Sequence, residues 1–208
     1  MRTLNVVQGS REWQAARLGI PTASGFERIL TPTGKLSASA DGYMCQLLAE
    51  QLIGQPMDLA DTGFMQRGST MEAEAVKYYE LQRGVDTAKV GFCLRDDGRV
   101  GCSPDRLVGD DGLLEIKCPA APVHVMYMLE GFPKKYMPQV QGQLWITGRK
   151  WCDCLSYNPE LPPALLRVER DEEYIEKLSD AMDEFLVNLD DAALKLFKMM
   201  NQTERKEA

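Results

Sequence analysis

The chain has 208 residues, 44% hydrophobic and 8% aromatic, with a formal net charge of −7. This length and apolar content suit one sizeable domain, and no run reaches the roughly 18 apolar residues of a transmembrane helix. The acidic balance weighs against a nucleic-acid partner unless the basic side chains are gathered on one face.

The N-terminal stretch MRTLNVVQGSREW has no apolar core of the kind a signal peptide needs, so a cytoplasmic location is expected. The first third then reads as helical. Ser10 opens a short helix ending near Gly19, with Pro21 beyond it. Ser24, with Glu27 three residues on, has a capping-box pattern, which predicts a helix starting at Ser24. Residues 31–42 are loop by composition. Residues 43–53 read as an amphipathic helix closed by Gly54. A longer helix starts at residue 64 or 69, ends at 82 and is closed by Gly84; it puts Glu72, Val76 and Tyr79 on neighbouring turns.

The middle of the chain reads as β. Residues 89–94 predict a strand and Asp96-Asp97-Gly98 a turn. Residues 100–103 and 106–108 continue the sheet, Gly109-Asp110-Asp111-Gly112 turns again, and 113–118 form a strand that Pro119 ends. Helices over 123–129 and 138–146 and strands over 151–157 and 165–168 follow. Residues 171–200 carry Ile175, Leu178, Met182, Phe185, Leu189 and Leu196 at helical spacing. That stripe is expected to pack on its own domain, with a subunit contact as the alternative. The tail 201–208 is expected to fray. No repeat or linker divides the chain, so a single α/β domain over 1–208 is expected.

Six cysteines are present and none forms a CxxC pair. They read as reduced and mostly buried, with Cys152 and Cys154 on one face of a strand. His124 is the only histidine, in an apolar helical context, so chemistry is expected to rest on carboxylates, lysine and a metal rather than on a histidine-based nucleophile.

The stretch GCSPDRLVGDDGLLEIKCP (101–119) places Glu115 and Lys117 in an otherwise apolar strand. Side chains alternate along a strand, so Leu114 and Ile116 face one side and Glu115 and Lys117 the other. The GDDG turn can bring Asp105 next to Glu115. Two carboxylates that close resist joint ionisation unless a cation lies between them. Mg²⁺ suits oxygen ligands, eases deprotonation of water and offsets charge on a phosphoryl oxygen. Lys117 would orient the nucleophile or hold the scissile phosphate. Those parts describe metal-dependent phosphodiester hydrolysis. The plain alternative is a turn aspartate and a surface Glu–Lys pair on a half-exposed strand.

These residues resemble the PD-(D/E)xK nucleases, and within them the phage lambda exonuclease and YqaJ-type viral recombinase family. WQAARLGIPTAS (13–24) is similar to that family's N-terminal element, RGSTMEAEAV (67–76) to its glutamate-bearing helix, and YMPQVQGQLWITG (136–148) to its glutamine-bearing helix. The resemblance covers about residues 11 to 200. It implies a restriction-endonuclease-like core, a central mostly antiparallel or mixed sheet flanked by helices. It also implies a processive 5′→3′ exonuclease on linear double-stranded DNA. The products would be mononucleotides and a 3′ overhang for a single-strand annealing protein. The expected assembly is a homotrimeric ring of phage or prophage origin.

The resemblance assigns the metal site to Asp105, Glu115, the backbone carbonyl of Ile116 and Glu72, holding two Mg²⁺ ions for which Mn²⁺ can substitute. It makes Lys117 the catalytic lysine. Gln139 matches the first glutamine of a glutamine-x-glutamine pair, the one placed nearer the active site, and Gln141 the second. Arg17, Ser24 and Ser103, with Thr22 and Gln141, match a site for the terminal 5′ phosphate and DNA. A helix starting at Ser24 would add the pull of its N-terminus on an anion. An aspartate upstream of Asp105 has two claimants, Asp96 and Asp97. The basic residues Arg11, Arg17, Arg28, Lys35, Arg67, Lys134, Lys135, Arg149 and Lys150 are set against an acidic excess over 171–191, so one positive face is expected despite the total. A restriction-type endonuclease on the same fold, an inactive DNA-binding module and an iron–sulfur nuclease are the competing readings.

Overall fold

The structure is a computed structural model that describes the backbone of residues 1–57 and 62–207 and the side chains of residues 1–57 and 71–202. Arg67 and the opening of the RGSTMEAEAV stretch lie outside the described side chains, as does the tail from residue 203 on.

A mixed five-stranded sheet carries the fold, flanked by helices as the sequence predicts. Its strands are β2 (Thr87–Ala88), β5 (Arg106–Val108), β6 (Gly112–Lys117), β7 (Trp151–Asn158) and β8 (Leu161–Glu169), in that spatial order. All neighbours are antiparallel except β6 and β7. The parallel pair follows from the chain between them, since parallel neighbours need a long crossover. Here the crossover is α4 (Ala121–Glu130) and α5 (Met137–Thr147). A second, antiparallel sheet joins β1 (Arg2–Leu4), β3 (Phe92–Leu94) and β4 (Gly101–Cys102).

Of the strand expected over 89–94 only β3 forms, over 92–94; residues 87–88 pair in the other sheet as β2, and 89–91 link the two. Gly91 is where they part: a Cβ there would lie 2.4 Å from the carbonyl oxygens of Leu4 and Val6, so only glycine lets β1 run so close. The last strand is longer than its sequence suggests. β8 is an edge strand, and Pro162 and Pro163 lie where its register with β7 shifts between Ser156 and Asn158, the kind of place where proline is tolerated. The short β1 has too few residues for an alternating pattern to show.

The strand β6 is covered on both faces. On one side α3 (Thr62–Arg83) packs Ala75, Val76 and Tyr79 onto Leu114, Ile116 and Leu155. On the other, Val140 and Leu144 of α5 meet Leu113, Cys152 and Cys154. Leu113 and Leu114 are both fully buried, which is the pattern of a central rather than a half-exposed strand.

The apolar stripe of α6 (Glu172–Glu207) packs on its own domain. Ile175, Leu178, Met182, Phe185 and Leu189 bury against Tyr43 and Leu47 of α2 (Ala40–Ile53) and against Phe26 and Ile29. Phe26 lies in a 3₁₀ turn, Ala23–Arg28, that crosses α5 at Gly142. A Cβ on Gly142 would stand 2.3 Å from the Phe26 ring, and Phe26 is fully buried and cannot swing away. Gly142→Ala is therefore expected to destabilise the protein by about 1–3 kcal/mol, as overpacking does, despite alanine's better helix propensity. Urea unfolding of the variant checks this. Among the described residues no helix is long and apolar enough to cross a membrane.

Candidate active site

The antiparallel register of β5 and β6 pairs Arg106 with Leu114. One step further along sets Asp105 opposite Glu115, where β6 leaves the hairpin. Asp105 Oδ2 accepts the Ile116 backbone N–H at 2.6 Å. That bond ties the aspartate to the strand carrying both other members of the motif and fixes the Ile116 peptide plane. Glu115 is only 2% exposed and lies under α5. Its Oε1 accepts the Lys117 ammonium at 2.7 Å and the Gln139 amide at 2.7 Å. Its Oε2 accepts the Gln143 amide at 2.8 Å. Lys117 also lies 4.7 Å from the Tyr136 ring centroid and 3.4 Å from Gln139 Oε1.

The electrostatics follow from that crowding. Burial, followed by the Glu115 charge, pushes the Asp105 carboxyl well above the usual aspartate range; Glu72 adds to the rise, while the Ile116 N–H and Lys117 oppose it. Burial alone would lower Lys117, but the charge and hydrogen bond of Glu115, with Asp105, outweigh it and hold the ammonium above the ordinary lysine range. Lys117 is a fixed cation here, not a base.

Glu72 reaches the same end of the sheet from α3, but its Oε1 pairs with Arg106 Nη1 at 3.1 Å. Arg106 also donates to the Asp105 carbonyl at 2.6 Å. Among the described residues no three Asp, Glu, His or Cys side chains stand together as a set able to hold one ion. The donors that would hold Mg²⁺ are thus Asp105, Glu115 and the Ile116 carbonyl, with Glu72 beside them once Arg106 lets go. The fit rests on Asp105: burial and the neighbouring Glu115 charge disfavour its ionisation, and a hard cation would relieve both.

The expected phosphate residues gather in part. Arg17, at the end of α1 (Arg11–Arg17), places its guanidinium 4.1 Å over the Trp13 ring, and Trp13 Nε1 donates to Ser103 Oγ at 2.8 Å. Arg17 Nη2 lies 3.3 Å from Thr22 Oγ1 and 3.5 Å from Ser24 Oγ. Arg17, Thr22, Ser24 and Ser103 therefore form one polar group, and Ser103 is two residues from Asp105. The predicted helix start at Ser24 is corrected. The element is a six-residue 3₁₀ turn with Thr22 at the cap position and no side-chain cap bond. Ser24 Oγ bonds to Thr22 instead, so an anion there would meet Arg17 and hydroxyls rather than a helix dipole.

Gln141 is a second correction. It donates to the Glu169 carbonyl at 2.9 Å and accepts the Asp171 N–H at 3.0 Å, pinning the start of α6. Residues four apart share a helix face and residues two apart do not, so the partner of Gln139 at the site is Gln143. That spacing in QVQGQ was the available signal. Asp97 is held by Arg95 and the Arg99 N–H, and Asp96 meets the N-terminal ammonium; both serve the β3–β4 turn. His124 is fully buried between Ser156 Oγ at 2.7 Å and the Pro162 carbonyl at 3.0 Å.

A family profile described as the YqaJ-like viral recombinase domain matches residues 12–150. Among solved structures, an alkaline exonuclease from Laribacter hongkongensis is similar over 93% of this chain and 100% of its own, at 35% identity and a TM-score of 0.84. The complex of that exonuclease with dAMP aligns equally well, again at TM-score 0.84. A phage related exonuclease from Haemophilus somnus shares the fold at 16% identity and a TM-score of 0.69, over 85% of this chain and 96% of its own. No curated protein matches by sequence.

Proposed function

The chain belongs to the YqaJ-like viral recombinase domain family, and from that membership we propose that it is a Mg²⁺-dependent exonuclease acting on linear double-stranded DNA. Digestion runs 5′→3′ and processively, releases mononucleotides and leaves a 3′ strand for a single-strand annealing partner, with the enzyme acting as a homotrimer. The carrying observation is the meeting of Asp105, Glu115, the Ile116 peptide and Lys117 at one hairpin end. A structural relative that shares 35% of its residues is an exonuclease solved with dAMP, which supports mononucleotide release.

In this reading Asp105, Glu115 and the Ile116 carbonyl hold the ion, two ions when Glu72 joins them, and Mn²⁺ can take the place of Mg²⁺. Bound there, it supplies charge neutralisation at the scissile phosphate and an activated water. Lys117, held protonated, donates to a phosphate oxygen as negative charge develops on it. Gln139 keeps Lys117 and Glu115 in register through its amide. Arg17 clamps the terminal 5′ phosphate, and the hydroxyls of Thr22, Ser24 and Ser103 complete the hydrogen bonds. After each cut the new end carries the same group, so the same attraction draws the duplex inward.

Linear and circular duplexes of one sequence, each incubated with and without Mg²⁺, test this reading. Mononucleotide release from the linear form alone, only with Mg²⁺, is expected. Cutting of the circle would favour an endonuclease, and no cutting of either an inactive binding module. Arg17→Ala is expected to lower the preference for 5′-phosphorylated over unphosphorylated ends by about ten- to a hundredfold, the value of a charged hydrogen bond, and to shorten processive runs. The product ladder on each type of end reads both effects.

A further inference from the structure

Gln143 is 1% exposed, and its Nε2 donates to Glu115 Oε2. Its own Oε1 is the one buried side-chain polar atom among the described residues with no hydrogen-bond partner. Leucine or methionine would fill this place without burying an unpaired carbonyl, so the amide is kept against a desolvation cost. What it contributes is one N–H, aimed at one oxygen of Glu115.

The two edges of that carboxylate differ. Oε1 lies toward the half-buried mouth and is shared by Lys117 and Gln139, both partly exposed and able to withdraw. Oε2 is deep and held by a side chain with nowhere else to go. We infer that Gln143 is the positioning residue that locks the Glu115 carboxylate plane, so that Oε1 alone is offered to a divalent cation. This rests on the nuclease reading and deepens it. With an ion bound, Gln139 would be the donor free to give way and Gln143 the one that stays. Ligand-orienting partners of this kind set metal affinity more than substrate affinity.

Calorimetric titration with Mn²⁺ alone, without DNA, on the full chain tests the inference. Gln143→Met preserves volume and removes both the donor and the unpaired carbonyl. Mn²⁺ affinity is expected to fall about ten- to a hundredfold and the Mg²⁺ concentration for half-maximal hydrolysis to rise alike. The KM for duplex at saturating Mg²⁺ should hold. Unchanged Mn²⁺ affinity in Gln143→Met, with normal binding by wild type, overturns the inference alone. Wild-type protein that neither takes up Mn²⁺ nor cuts linear duplex overturns the nuclease reading and the inference together. Should Gln143→Met not fold, Gln143→Asn, whose shorter amide falls short of Glu115, gives the same two outcomes.

Discussion

Lys117→Ala is expected to slow hydrolysis of linear duplex DNA by about a thousandfold while leaving the fold intact, since one preorganised charge at a developing oxyanion is worth that much. The side chain stands at the end of β6, a quarter exposed, and contributes little to the core. Its removal leaves Gln139 on Glu115, so the buried carboxylate keeps two amide donors. Lys117→Arg is not expected to restore the rate, because a planar guanidinium does not reproduce a compact ammonium. Glu115→Gln should be as inactive, by removing a ligand charge at constant volume. Release from a 5′-labelled duplex, alongside circular dichroism, reads rate and fold together. A near-normal rate in either variant would mean that the motif has been misassigned.

Arg167→Met is expected to cost about 3 kcal/mol of stability, the lower end of what stripping the partner from a buried carboxylate costs, since the Arg167 side chain is itself 43% exposed. Asp153 is fully buried in β7. Arg167 holds it by two parallel bonds of 2.7 and 2.9 Å and stacks 3.6 Å above Trp151. Tyr79 adds a hydroxyl at 2.8 Å. Arg83, 3.7 Å away and partly exposed, can also move in. The double variant Asp153→Leu with Arg167→Met should recover most of the loss, since no charge is then stranded. Denaturant midpoints across the cycle measure this, and a single variant as stable as wild type would contradict it.

The Asp153 network was not legible in the sequence. WCDCLSYN shows an aspartate among strand residues, but its partners come from α3, 74 residues away, and from β8, 14 residues on. The hairpin geometry was legible because Asp105, Glu115 and Lys117 sit within one local unit whose register is set by a short turn. Glu115's burial was not, since the cover comes from α5, within the crossover that follows β6. Gln141 was misplaced because a two-residue spacing was carried onto a helix, where the face repeats at three and four. Ser24 matched a capping pattern, yet the segment tightens into a 3₁₀ turn under the packing of Phe26 against Gly142. Local signals survive where neighbours in sequence are neighbours in space, and fail where the third dimension chooses.

Ser103, Pro104 and Asp105 are consecutive, and the group around Arg17 hangs on the first through Trp13 while the cutting site hangs on the last. Pro104 fixes its own φ and restricts the residue before it, and its carbonyl is bound by Gln8 at 2.9 Å. In the proposed reading, end-sensing and bond-breaking would be separated by a stiff covalent ruler, about 7 Å long at most. Step length would then be written in peptide geometry rather than in side-chain packing. Lengthening the ruler by one residue would shift where the blade falls without touching a single catalytic atom.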